Sequence, residues 1–212
     1  MLKKYLNKAK AHLKSLDALF GVFSLIIFIA ASVVYINKHL WYEFFWLSNH
    51  WALINGIGFL TRSKFLFSYV VVLGIIPEIF WVMDFLLMIQ GHTFLGITSY
   101  WFDKSYPFSL KLIALQHLIN PFVSIYGIAR FGFHKKAWIG ALIHGTFLLL
   151  ISLMFFSKAE NVNCVWRNCF ASIPMPDFIW KIILLVGIMV HIWLVTYLIK
   201  FIITISISES CS

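Results

Sequence analysis

Apolar residues along this chain fall in long runs, with polar residues clustered between them. Six such runs lie near 17–36, 42–60, 65–89, 108–131, 136–156 and 178–203. A membrane-spanning helix takes about 20 mostly apolar residues. The pattern therefore predicts an all-α, polytopic membrane domain over 17–205 with six transmembrane helices. Residues 1–16 read differently. Leu2, Tyr5, Leu6, Ala9, Leu13 and Leu16 recur at helical spacing, and Lys3, Lys4, Lys8, Lys10 and Lys14 take much of the rest. This is either an amphipathic helix on an anionic leaflet or a basic tail that sets topology. Ala18–Ile36 exceeds a signal h-region of about 7–15 residues, so an uncleaved first span is expected. Residues 206–212 form a short tail without a prenylation or retention signal.

Charge adds orientation. Five Lys precede the first run, Arg62 and Lys64 follow the second, Arg130, Lys135 and Lys136 follow the fourth, and Lys200 lies near the end of the sixth. The opposite side carries Lys38, Lys104, Lys158 and Arg167, with Lys111 and Lys181 at span edges. The richer side should be cytoplasmic. Both termini are then expected inside a cell membrane, with the longer loops 90–107 and 157–177 outside.

Composition excludes a soluble domain. The chain is 61% hydrophobic and 12% charged, against about 25% charged in soluble proteins. The net charge of +9 belongs to the orienting segments, so membrane lipids are the expected partners and nucleic acid is not. Nine Trp and eight Tyr, many near run ends, suit interfacial belts. No internal repeat supports an inverted-repeat transporter. The sequence specifies no cofactor and no oligomeric state.

The third run holds the most unusual stretch, Gly74-Ile75-Ile76-Pro77-Glu78-Ile79-Phe80-Trp81-Val82-Met83-Asp84. Pro77 removes a backbone donor and should kink the helix. A carboxylate at membrane depth costs at least about 2.5 kcal/mol and faces a bundle interior or wet cavity. Glu78 thus marks a polar site. Asp84, nearer the outer end, either supports that site or pairs with Lys104 or Lys111. Span two offers Ser48, Asn49, His50 and Asn55. Span four offers a Gln116, Asn120, Ser124 stripe with His117 beside it and Pro121 as a second kink. On the helical rise, His50 and His117 lie roughly 12–14 Å below the outer span edge, within about one turn of Glu78. These three residues are expected to meet, with Ser48, Asn49, Gln116 and Asn120 around them. Gly140 precedes His144 by four residues, as Gly187 precedes His191. This spacing suits close helix approach with an interhelical hydrogen bond.

The loop Asn161-Val162-Asn163-Cys164-Val165-Trp166-Arg167-Asn168-Cys169 would face the oxidising side, where Cys164 and Cys169 form a short-loop disulfide. A metal pair lacks a nearby His or carboxylate to complete a tetrahedral set, and no metal site is expected. Cys211 should be free on the other face.

Span two running into Phe59-Leu60-Thr61-Arg62-Ser63-Lys64-Phe65-Leu66-Phe67, together with Leu115-Gln116-His117-Leu118 and Asn161-Val162-Asn163-Cys164, resembles the YwaF-like six-helix integral membrane proteins over roughly residues 40–200. That family is similar to a eukaryotic transmembrane acyltransferase and, more distantly, to intramembrane lipid hydrolases of the androgen-dependent TFPI-regulating type. The resemblance implies a nucleophile on an early span and a His on a later one. These fall at Ser48 and His117. The acyltransferase pattern uses Cys where span two here has none. Ser performs acyl transfer if an adjacent base takes its proton. Asn49 or Asn120 would stabilise the oxyanion, and Glu78 would orient the His.

Three functions compete at this level. The first is an intramembrane acyltransferase or lipid-ester hydrolase with Ser48, His117 and Glu78 as catalytic residues. The second is proton-coupled transport, or a non-catalytic role, through Glu78, Asp84, His50 and His117. The third is a b-type haem protein, with His144 and His191 on one haem and His50 and His117 on another.

Overall fold

A computed structural model describes residues 2–170 and 172–210, with side chains placed for 14–170 and 172–202. The described residues are all-α. In chain order they form α1 (Leu2–Asn37), a 3₁₀ turn (Trp41–Phe45), α2 (Leu47–Thr61), α3 (Lys64–Ile89), α4 (Ser99–Phe102), α5 (Phe108–Ala114), α6 (Gln116–Phe131), α7 (Ala137–Phe155), a second 3₁₀ turn (Val162–Cys164) and α8 (Asp177–Ser210). Five segments are long and apolar enough to cross a membrane: Lys14–Asn37, Lys64–Ile89, Phe108–Phe131, Ala137–Phe155 and Asp177–Ile202. This is a multi-pass membrane protein.

Span two departs from its expected form. Its first residues coil into the 3₁₀ turn, and α2 keeps only 15 residues. That is roughly 22 Å at 1.5 Å per residue, short of a hydrocarbon core of about 30 Å. Span four is also divided. α5 ends at Ala114 and α6 begins at Gln116, joined by Leu115, whose backbone stays right-handed helical (φ −62°, ψ −14°), and Pro121 sits inside α6. At the amino terminus one helix runs from Leu2 to Asn37 without a break at residue 16. The side chains of 1–13, on which the amphipathic reading rests, lie outside the described residues, as does Cys211.

The connections define two ends. α2 closes with Arg62 in the left-handed region (φ 54°). Ser63 then caps α3, its Oγ accepting from Leu66 N at 3.4 Å. This two-residue reversal makes α2 and α3 antiparallel. Buried Asp17 of α1 meets Arg62 at 3.4 Å and Arg130 of α6 at 3.3 Å. The start of the α1 span and the ends of α2 and α6 therefore share one basic end. The two long loops share the other, where Ser172 Oγ donates to Phe94 O at 2.7 Å. α8 starts there, with Trp180 Nε1 donating to Cys164 O at 2.6 Å.

α3 is the central helix and packs against α2, α6, α7 and α8, while α2 sits among α1, α3 and α6. Trp51, Phe67, Val70 and Val72 are fully buried there. A small residue permits the closest approach: a Cβ on Gly127 of α6 would run into the Phe67 ring. Gly187 has open space around it, so the close approach expected ahead of His191 is not made. The outward faces of α7 and α8, including Ile143, Met154, Ile182, Met189 and Trp193, are exposed and apolar, as lipid contact requires.

Candidate functional site

The middle of the bundle brings Glu78 and His117 together. α3 presents Glu78 one turn beyond Gly74, and α6 presents His117 in its first turn. His117 Nδ1 donates to Glu78 Oε2 at 2.7 Å, with the side chains 16% and 6% exposed. Trp81, one turn along α3, stacks on the imidazole at 4.5 Å and 16°. Its own Nε1 donates to Tyr100 OH at 3.0 Å. The imidazole is thus clamped on one edge by a carboxylate and on one face by an indole. Its Nε2 makes no hydrogen bond to a described residue.

Beside the pair runs a buried amide network. Asn49 Oδ1 accepts from Tyr35 OH at 3.0 Å and from Gln116 Nε2, and Asn49 Nδ2 donates to Glu43 O at 2.6 Å. Gln116 Oε1 is buried without a partner among the described residues. Deeper, Trp51 Nε1 donates to Ser124 Oγ, Ser124 donates to Asn55 Oδ1 at 2.7 Å, and Asn55 Nδ2 donates to Asn120 O at 3.3 Å. The expected stripe on span four is therefore real, and it meets the polar face of α2.

Ser48 forms no hydrogen bond with His117 or Glu78. Register nevertheless places it at their level. Ser48 lies one turn loopward of Trp51. The Trp51 ring lies where a Cβ on Gly74 would come within 2.6 Å of it, and its Nε1 reaches Ser124. Glu78 lies one turn loopward of Gly74, and His117 two turns loopward of Ser124, at 3.6 residues per turn.

His50 does not join His117. It points to α7, where His50 Nδ1 and His144 Nε2 are 2.9 Å apart, and its Nε2 is 2.6 Å from Phe44 O. A carbonyl only accepts, so Nε2 of His50 carries the proton. With both rings neutral, His50 Nδ1 accepts from His144 Nε2–H. His144 Nδ1 is then a bare lone pair, buried and without a partner among the described residues. His50 commits both nitrogens and His117 commits one to Glu78, so the haem pairing of these two does not fit. His191 Nε2 is likewise buried without a partner among the described residues. No group of three metal-ligating side chains occurs among the described residues.

Asp84 leaves the site altogether. It is fully buried. Its Oδ1 accepts from Leu95 N (2.7 Å) and Gly96 N (2.9 Å), and its Oδ2 from Thr98 N and Thr98 Oγ1 (2.8 Å each). It ties the loop after α3 to that helix and does not pair with Lys104 or Lys111. Lys111 Nζ instead donates to Asp103 O at 2.7 Å. The Ser105 amide and hydroxyl hold the Asp103 carboxyl below the usual carboxylate range.

The expected disulfide is present, joining Cys164 and Cys169 at a Cα separation of 5.7 Å. Sequence reasoning passed over three residues. Trp81 and Tyr35 carry no pattern that announces a partner. Asp17 did carry a signal, as the sole acidic residue before Glu43, at the end of a lysine-rich segment. Comparison with protein-family models, curated proteins and solved structures found no match for this chain.

Proposed function

We propose that this protein crosses the membrane six times, with α2 as a short sixth crossing and the basic end cytoplasmic. We further propose that it transfers or hydrolyses acyl groups of lipid esters within the bilayer. The observation that carries this reading is the buried His117–Glu78 pair, a base already oriented by a carboxylate with its second nitrogen uncommitted. In the proposed reaction, His117 Nε2 takes the proton of Ser48 as Oγ attacks the ester carbonyl. The same proton then goes to the departing alcohol. Water or a second alcohol repeats the steps to release the acyl group. Asn120 is the better oxyanion donor, since Asn49 is held by Tyr35, Gln116 and Glu43. The resemblance to YwaF-like proteins points the same way.

A serine-directed activity probe tests the reading on detergent-purified protein. Wild type should label, and Ser48→Ala and His117→Ala should not. Labelling that survives either change, or no labelling of intact wild type, overturns it. A second reading, a proton path, is favoured by the bare lone pair of His144 at the end of the His50–His144 bond. It expects His144→Phe to abolish proton-coupled uptake into vesicles, and uptake unaffected by that change rejects it.

A further inference from the structure

The start of α2 is held by a side chain from the far end of the chain. An α-helix begins with backbone N–H groups that lack internal partners. The residue preceding α2 is Trp46, which supplies no side-chain cap. Asn163 does so instead. Its Oδ1 accepts from Leu47 N at 3.0 Å, and its Nδ2 donates to Phe45 O at 2.7 Å and to Ser152 Oγ at 3.0 Å. The neighbouring carbonyls, Glu43 O and Phe44 O, accept from Asn49 and His50 at 2.6 Å each. Three successive carbonyls of one turn are thus fixed by side chains, and Asn163 is the only one of the three from outside α2.

Asn163 is itself held in a constrained loop. Asn161, Asn163 and Cys164 have φ of 44°, 50° and 58°. Asn tolerates the left-handed region, but Cys does so rarely. The conformation is maintained by the Cys164–Cys169 disulfide, by Asn161 Oδ1 accepting from Trp166 N and Arg167 N at 3.0 Å, and by Trp180 on Cys164 O.

We propose that Asn163 is a positioning residue for the first turn of α2, and that the Cys164–Cys169 disulfide holds it there, so that a dithiol reductant releases this turn. In that step the S–S bond breaks, two cysteine thiols form and the dithiol becomes a disulfide, with two electrons and two protons moving. Cys164 then relaxes to negative φ and withdraws Asn163 from Leu47. Any effect on Ser48 rests on the acyl-transfer reading. The capping does not.

The test is hydrogen exchange by mass spectrometry over residues 44–52 of the full chain in detergent. Asn163→Ala should speed exchange there roughly 3- to 30-fold, the range of one helix cap. Asn163→Asp keeps the acceptor for Leu47 but sets a second oxygen against Phe45 O, where Nδ2 donated, so it should not restore wild-type exchange. Wild type treated with a dithiol should match Asn163→Ala, and the dithiol should add nothing to Asn163→Ala. Cys164→Ser/Cys169→Ser should behave as reduced wild type, and if that variant does not fold the dithiol experiment stands alone. Exchange indifferent to reduction, or a reduction effect that persists in Asn163→Ala, overturns the proposal. If exchange responds while wild type never labels with the serine probe, the acyl-transfer reading fails and the clamp remains.

Discussion

Asp84→Ala is the sharpest test of the packing argument. Asp84 is fully buried, and all four of its hydrogen bonds come from Leu95, Gly96 and Thr98. Hydrogen bonds to a charged group contribute about 1.5–3 kcal/mol each. Simple addition over four would give a ceiling of roughly 6–12 kcal/mol, but bonds that share one carboxylate are not additive. The released loop can also turn its three amides toward water. The expected loss is therefore about 3–5 kcal/mol, since each donor left without its acceptor costs about 1–3 kcal/mol and part of that is recovered in water. Thr98→Val removes the hydroxyl contribution and should lose about 1–2 kcal/mol. Asp84→Asn keeps one acceptor oxygen and should fall between them. Chemical unfolding in mixed micelles measures the losses, and limited proteolysis over residues 90–98 reports whether the loop detaches. The reasoning fails if Asp84→Ala unfolds within about 1 kcal/mol of wild type, since a buried carboxylate holding four donors cannot be that dispensable. It also fails if Thr98→Val costs as much as Asp84→Ala.

Other perturbations probe the rest of the bundle. Arg130→Gln removes the two-point contact on Asp17 and leaves Arg62 at 3.4 Å. A loss of about 1–3 kcal/mol is expected for this partly exposed guanidinium, and no change in the unfolding midpoint would contradict it. Gly127→Ala should destabilise by about 1–3 kcal/mol through overpacking, because its Cβ would meet the Phe67 ring. Gly187→Ala should be neutral or slightly stabilising, because nothing stands near it and alanine favours a helix by about 1 kcal/mol. Equal effects from the two glycine changes, read from thermal unfolding, would refute the assigned packing.

Much of the architecture was legible before any coordinates. Apolar runs announce helices in a membrane because no water is present to satisfy exposed backbone groups. That constraint is local, and the helices at 64–89, 137–155 and 177–210 follow it closely. The same logic overran at span two. Tyr42 to Trp46 are apolar enough for a span, but their carbonyls coil to receive Asn49, His50 and Asn163. It gave no sign of the junction at Leu115, whose own backbone stays helical.

For the polar site, the sequence by itself determined which ionisable residues had to face inward, because lipid cannot solvate them. Glu78, Asp84, His50 and His117 all do so at least in part. Only the tertiary structure decided their partners. His117 went to Glu78, His50 to His144 and Asp84 to its own following loop. Six residues separate Asp84 from Glu78, and a helical turn of 3.6 residues sends them to different faces. Which helix waits on each face depends on how the rods pack, through contacts such as Gly127 against Phe67. Helix order in a bundle is set by the fit of side chains across the whole bundle, and no single run of residues contains it.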